Sequence, residues 1–238
     1  MGKENNVEQK KKKIPVGLSN YQEMKTEKYY VVDKSLMIKE FLDSGAKVTL
    51  ITRPRRFGKT LNMSMLAEFF DLSKDSRLIF EDTKIMKTEN ASEINQYPTI
   101  FLSFANCRGD EENIKFSIFY LLRKEMARYL ALLKNDTVDE DLRDRYQSMY
   151  KEICDKTDFI STKFSISVMC ELLNKVYQKP VMLFIDEYDT PFIEAHTHEC
   201  YDKLHNTLAG MLSSALKDNP YLQYAMLTGI QRVAKENI

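Results

Sequence analysis

The sequence predicts an α/β protein in which a mostly parallel sheet lies between two layers of helices. Four short apolar segments, residues 47–52, 98–104, 181–185 and 221–227, alternate with segments of helical periodicity, and this alternation is typical of a parallel sheet covered on both faces. The third segment is apolar without a break, as a central parallel strand requires. The 238 residues, 43% of them hydrophobic, suffice for a large core.

The chain divides into a short tail and one domain. Residues 1–13 are polar and end in four consecutive lysines, so we expect a disordered basic tail. Residues 14–238 have a globular composition and are assigned to the domain.

The domain opens with a β-rich segment and a helix. Tyrosine and valine at residues 29–32 favour a strand. Asp33 or Ser35 can cap the amphipathic helix predicted over residues 36–42, and Gly45 ends it.

Two strand-helix pairs follow. The short apolar run at 47–52 predicts a strand, and the run at 61–70 predicts a helix after an intervening loop. Residues 98–104 form the second predicted strand. Apolar residues then recur at helical spacing over residues 114–133.

The second half of the domain continues this alternation. Helical patterns at 141–154 and 164–176 precede the strand at 181–185, and another at 204–215 precedes the strand at 221–227. A last helical pattern begins at Gln231.

The loop after the first strand carries the strongest chemical signal. Its last residues, Gly58, Lys59 and Thr60, match the end of the phosphate-loop pattern G-x-x-x-x-G-K-[ST], whereas Arg53 replaces the first glycine. In such loops the lysine reaches the β- and γ-phosphates and the hydroxyl ligates Mg²⁺. The pattern predicts a catalytic role for Lys59 and a metal ligand at Thr60.

The phosphate cradle is predicted at the start of the following helix. Because backbone N–H groups there bind the anion, the chemistry tolerates the change at Arg53. The predicted cradle residues are Arg55, Arg56, Phe57, Gly58, Lys59, Thr60 and Leu61. This motif alone also fits an ordinary basic loop before a helix.

The strand at 181–185 supplies an independent signal, because two carboxylates follow it. Ligands of open α/β sheets lie beyond the carboxyl ends of the strands, where the phosphate loop also emerges. We expect Asp186 to hold Mg²⁺ through water and Glu187 to act as the general base. The alternative is a strand that simply ends in an acidic turn.

A third signal is the threonine at the end of the fourth strand. Thr228 is the candidate for a polar sensor between the attacking water and the γ-phosphate, although threonine is common at strand ends. Arg232 follows it and is a candidate for a γ-phosphate contact or a surface residue.

The composition of the chain and the spacing of its cysteines and histidines argue against several other classes of protein. Equal numbers of basic and acidic residues, 35 each, give no whole-chain case for nucleic-acid binding, and no apolar run approaches the roughly 18 residues of a membrane span. Four cysteines without a C-x-x-C pair are typical of reduced thiols in the cytoplasm. His196, His198, Cys200 and His205 match no common zinc spacing.

Taken together, these motifs resemble the bacterial family of predicted AAA-ATPase or AAA-ATPase-like proteins. The segments that carry the resemblance are IPVGLSNY at 14–21, YVVDKS at 30–35, TRPRRFGKTLN at 52–62, IDEYD at 185–189 and LTG at 227–229. The arginine-rich phosphate loop is the most distinctive of them, and the altered first glycine belongs to the family pattern.

The resemblance implies a P-loop NTPase fold of the additional-strand, AAA-like type, with the Thr228 strand between the phosphate-loop strand and the acidic strand. It also implies that residues 14–21, with Asp33 nearby, lie close to the adenine. Family members often carry a C-terminal PD-(D/E)xK nuclease-like domain, which this chain does not show. Because the chain ends within a helical pattern, we expect it to be the N-terminal part of a longer protein that continues into a last core strand.

The expected function is Mg²⁺-dependent ATP binding, with ATP hydrolysis that drives or gates a partner domain. Two alternatives stay open. One is a nucleotide-dependent interaction module without turnover, and the other is a nucleic-acid-processing protein whose basic residues meet the phosphates of DNA or RNA.

Overall fold

The computed structural model describes residues 13–156 and 158–232, which form a four-stranded parallel sheet covered by helices. The strands are β1 (Val48–Thr52), β2 (Thr99–Ser103), β3 (Val181–Asp186) and β4 (Leu222–Gly229). The helices are α1 (Tyr21–Thr26), α2 (Leu36–Asp43), α3 (Lys59–Phe70), α4 (Arg77–Phe80), α5 (Glu111–Ala127), α6 (Glu140–Asp155), α7 (Ser165–Tyr177), α8 (Thr190–Thr197) and α9 (Tyr201–Leu216). The prediction of an α/β fold with a parallel sheet is confirmed.

The order of the strands is β1-β4-β3-β2, and every neighbouring pair is parallel. The strand of Thr228 therefore lies between the phosphate-loop strand and the acidic strand, as the additional-strand type requires. All four carboxyl ends meet at one edge of the sheet, so the loops that follow them share that edge.

Two hydrophobic cores, one on each face of the sheet, make the fold a three-layer sandwich. Along β3, Leu183 and Ile185 pack into the core formed with α5 to α9, whereas Met182 and Phe184 pack into the core formed with α1 to α4. All six residues of β3 are buried. This explains the continuous apolar run, since a strand covered on both faces has no polar side.

The observed elements follow most of the predicted ones, but several differ. Residues 29–32 form no strand; they run as a loop in which the N–H of Tyr30 donates to the carbonyl oxygen of Lys13 at 2.8 Å. The helical pattern at 114–133 splits into α5 and a 3₁₀ segment, Leu130–Lys134. Gln231 and Arg232 are not helical, and the rest of that predicted helix lies outside the described residues, as does the tail up to residue 12.

The helix after Glu187 was not expected. Pro191 stands in the first turn of α8, where proline's missing N–H costs no hydrogen bond. None of the described helices is both long and apolar enough to cross a membrane. The four cysteines are free thiols, and burial raises the pKa of Cys107 and of Cys170 to about 12.

Candidate nucleotide site

The phosphate loop and the acidic strand meet at the carboxyl edge of the sheet. The hydroxyl of Thr60, in the first turn of α3, donates to Oδ2 of Asp186 at the end of β3, with an oxygen-oxygen distance of 2.8 Å. These residues are 126 positions apart in the chain. The expected convergence of the two segments is therefore present in the structure.

Asp186 is fully buried and is surrounded by hydroxyl groups. Besides Thr60, Thr228 donates to its Oδ1 at 2.5 Å, and Ser103 at the end of β2 lies 3.5 Å from its Oδ2. The hydroxyl oxygen of Thr228 also lies 3.4 Å from the backbone nitrogen of Glu187. The result is a cluster of oxygen atoms contributed by four neighbouring elements, the kind of ligand set that Mg²⁺ prefers.

Gly58 forms the junction between the loop and α3. It has φ 72° and ψ 19°, a left-handed conformation, and no side chain caps the free N–H groups of the helix. A Cβ at this position would meet no atom within 4 Å, so the need for glycine is conformational. Arg56 also has a positive φ, 69°.

The lysine of the motif is folded onto its own loop. Lys59 Nζ donates to the carbonyl oxygens of Arg53 at 2.7 Å and Pro54 at 3.0 Å. Arg55, Arg56 and Phe57 are exposed to solvent. Thus the structure does not bring the ammonium group into contact with Asp186, although both lie at the same edge of the sheet.

Glu187 is held by groups that the sequence analysis did not single out. Its Oε2 accepts hydrogen bonds from the Arg108 guanidinium and from the Thr190 hydroxyl, each at 3.1 Å. Arg108 follows the end of β2 and also binds Glu194 of α8 at 3.0 Å. The location of residue 108 beyond a carboxyl strand end was the one signal in the sequence that could have found it.

Asp189 forms hydrogen bonds with the segment that follows Thr228. Its fully buried carboxylate accepts from the backbone N–H groups of Ile230 at 2.8 Å and Gln231 at 3.0 Å. A Cβ on Gly229 would lie 2.8 Å from both Asp189 Oδ1 and the Tyr188 ring. Here glycine is required because the side chains of Asp189 and Tyr188 approach so closely.

A mainly apolar cavity of about 240 Å³ lies beside Gly58 and Leu61. Its wall includes Pro15 and Tyr21, which belong to residues 14–21, the segment that the resemblance places near the adenine. Its lining residues are Pro15, Tyr21, Met24, Tyr30, Val31, Val32, Lys34, Gly58, Leu61, Asn62 and Met65. Asp33 instead has its carboxylate bound by the backbone N–H groups of Ser35 and Lys84, both at 2.9 Å.

The remaining candidates lie apart from this cluster. The ring of His196, at the end of α8, stacks on that of Tyr201 at 3.8 Å. Among the described residues, no three His, Cys, Asp or Glu side chains are grouped to hold a metal ion. Arg232 is exposed.

Comparison with known proteins gives a family and one curated relative. An uncharacterised protein in the vnfD 5′ region of Azotobacter chroococcum mcd 1 is 22% identical over 232 residues, which cover 96% of this chain and 39% of that protein. The chain thus spans about two fifths of its relative's length. No solved structure matches. The profile of the family described as Predicted AAA-ATPase, whose description indicates nucleotide binding and ATPase activity, matches residues 15–238. The chain therefore belongs to the predicted AAA-ATPase family.

Proposed function

We propose that this chain binds ATP together with Mg²⁺ and hydrolyses it slowly to position a partner domain. The observation that carries the proposal is the contact of Thr60 with buried Asp186 at the start of α3. A hydroxyl and a carboxylate from distant segments meet next to a helix N-terminus and a lysine, and this combination suits a triphosphate and its metal ion.

Thr60 and Asp186 are the proposed metal ligands. The fit rests on their oxygen chemistry and on burial, because a buried carboxylate whose contacts are hydroxyl groups presents the hard oxygen donors that Mg²⁺ selects. Bound Mg²⁺ would supply positive charge to the β- and γ-phosphate oxygens.

The cradle residues 55–61 are proposed to bind the phosphates. The uncapped N–H groups at the start of α3 and the positive end of its dipole favour an anion. For Lys59 to take part, its Nζ must exchange the carbonyl oxygens of Arg53 and Pro54 for phosphate oxygens. That exchange replaces two neutral acceptors by charged ones, which form stronger hydrogen bonds.

The cavity beside Gly58 and Leu61 is the proposed place of the adenine. It adjoins the cradle, and its apolar wall suits a heteroaromatic base. Tyr21 lies in this wall, where burial, with Asp33 and Asp82 adding to it, raises the pKa of its hydroxyl above the ordinary value. The pKa shift therefore keeps the Tyr21 hydroxyl neutral even well above physiological pH.

Glu187 is the proposed general base, and Thr228 the proposed sensor. Glu187 directly follows the metal-side carboxylate at the same strand end. Thr228 lies in β4 and contacts both Asp186 and the backbone of Glu187. Loss of the γ-phosphate next to these residues would therefore be felt by β4. Asp189 then connects the acidic turn to residues 230 and 231, which offers a route toward a partner domain.

A nucleotide-binding module without turnover is the second candidate. The ion pair between Glu187 and Arg108 favours it, because a glutamate bound to an arginine is less available as a general base. The two candidates share the binding site and differ only in the fate of the γ-phosphate.

The test of both is to measure ATP affinity and phosphate release for the wild type and for Glu187→Gln. Because proton abstraction contributes about 10²-fold or more, we expect Glu187→Gln to reduce turnover by at least about that factor while retaining ATP affinity. Glu112→Gln, which changes a highly exposed glutamate of α5, is the matched control. ATP binding without turnover in the wild type would favour the second candidate, and an intact fold without ATP affinity would exclude both.

A further inference from the structure

The cavity beside the phosphate loop lies between a helix and a loop. Residues at helical spacing along the start of α3 form one wall, namely Gly58, Leu61, Asn62 and Met65. Residues 30–32, which have no strand partner, form the other wall. Its volume of about 240 Å³ is below the roughly 300–1,000 Å³ of a complete small-molecule site. The cavity therefore suits the base of a nucleotide rather than the whole molecule.

Two tyrosines contribute aromatic rings to this cavity, and they differ in their existing contacts. Tyr21 is 3% exposed, and its ring stacks on that of Phe80 with the centroids 5.2 Å apart. Tyr30 is 59% exposed. Within the part of the chain that the structure describes, the side chain of Tyr30 has neither a hydrogen bond nor an aromatic partner. Of the two rings, that of Tyr30 is therefore the one whose face is open to a flat ligand.

The backbone that carries Tyr30 is held by hydrogen bonds on both sides of the loop. The N–H of Tyr29 donates to the carbonyl oxygen of Met24 at 3.0 Å, and the N–H of Tyr30 donates to that of Lys13 at 2.8 Å. A ring on a held backbone loses less conformational freedom on binding than a ring on a free segment. Tyr30 is thus placed at the cavity before a ligand arrives.

We propose that Tyr30 stacks on the base of the nucleotide and that this contact makes the site prefer purine over pyrimidine triphosphates. The proposal rests on the proposed function, which places the base in this cavity. Every base has a π-face, so stacking itself does not read hydrogen-bonding edges, and base preferences then follow from stacking strength. A purine has two fused rings and a pyrimidine has one, so the purine offers the larger area to the Tyr30 ring.

The experiment measures affinities for ATP, CTP and inorganic tripolyphosphate, each with Mg²⁺, in the wild type, Tyr30→Ala and Tyr30→Phe. Tyr120→Ala is the matched control, because Tyr120 of α5 is 61% exposed and does not line this cavity. Since the base–aromatic contact lies at an exposed ring, we expect Tyr30→Ala to weaken ATP binding by about 5- to 20-fold. We also expect it to narrow the difference between ATP and CTP and to leave the affinity for tripolyphosphate, which has no base, unchanged. Tyr30→Phe retains the ring and should bind ATP as the wild type does.

Several outcomes would overturn the proposal. They are wild-type ATP affinity in Tyr30→Ala, an equal loss of tripolyphosphate affinity, a loss in Tyr30→Phe as large as in Tyr30→Ala, an equal loss in Tyr120→Ala, and equal affinities of the wild type for ATP and CTP. If Tyr30→Ala does not fold, Tyr30→Leu removes the π-face with less loss of volume and is judged by the same criteria. Failure of the proposed function is distinguishable, since the folded wild type would then bind neither ATP nor tripolyphosphate.

Discussion

The two halves of the candidate site differ in how far they are assembled before a ligand arrives. Asp186 is fully buried, and hydroxyl groups from β2, α3 and β4 surround it. The phosphate loop is largely exposed, and Lys59 contacts only carbonyl oxygens of its own loop in the hydrogen bonds described. The proposed metal side is already assembled, whereas on the proposed phosphate side Lys59 would have to leave its carbonyl partners to bind nucleotide.

Because of this difference, substitutions in the two halves should change different quantities: the free energy of unfolding in one and ATP affinity in the other. Substitutions on the β3 side remove buried hydrogen bonds, so they should lower the free energy of unfolding. Substitutions of the exposed loop side chains that are proposed to contact phosphate should mainly lower ATP affinity and leave the fold intact.

Among substitutions in the phosphate loop, Lys59→Ala is expected to have the largest effect on ATP affinity. Loss of a charge-assisted contact with phosphate should weaken ATP binding by about 30- to 100-fold, while the melting temperature stays at the wild-type value. Calorimetric titration and a thermal melt measure the two quantities. Lys179→Ala is the control, because Lys179 likewise binds a carbonyl oxygen, that of Gln96, in an exposed position. Equal losses of affinity in both variants would count against the assignment of Lys59.

Asp186→Asn tests the pre-organised half. An amide nitrogen would face Thr60 or Thr228, and a buried hydroxyl would lose its acceptor, so we expect a loss of about 2 kcal/mol in the free energy of unfolding. Urea denaturation without nucleotide provides the measurement. A variant as stable as the wild type would show that the cluster around Asp186 is not a stabilising one.

Two glycine variants test the backbone in the two halves of the site. Gly58→Ala should cost about 1–2 kcal/mol through its positive φ alone. Gly229→Ala should cost about 1–3 kcal/mol, because its Cβ would lie 2.8 Å from Asp189 and Tyr188. Urea denaturation should place Gly229→Ala below Gly58→Ala in stability; the reverse order would mean that the packed segment yields more easily than the loop.

The sheet could be predicted because buried parallel strands appear in the sequence as apolar runs. Each strand coincides with a short, mainly apolar run, and parallel carboxyl ends share one edge, so the meeting of Thr60 with Asp186 followed from the motifs. The segment at 29–32 misled because its β-rich composition has no neighbouring strand to pair with. It lines the cavity instead.

The contacts of Glu187 could not be predicted in the same way. Arg108 and Glu194 come from different elements, and their approach to Glu187 depends on how α8 packs beside the loop after β2. No periodicity or motif records such a meeting. The contacts of Lys59 with its own loop could not be predicted either, because the phosphate-loop pattern describes the role of the lysine when a ligand is bound.

The phosphate loop and the acidic strand are proposed to form one site for ATP and Mg²⁺. The most direct measurement is a calorimetric titration of the full chain with a non-hydrolysable ATP analogue, with Mg²⁺ and with a chelator, in the wild type and in Asp186→Asn. We expect Mg²⁺ to strengthen binding in the wild type and to have little effect in Asp186→Asn. Binding that Mg²⁺ strengthens equally in both proteins would contradict this expectation.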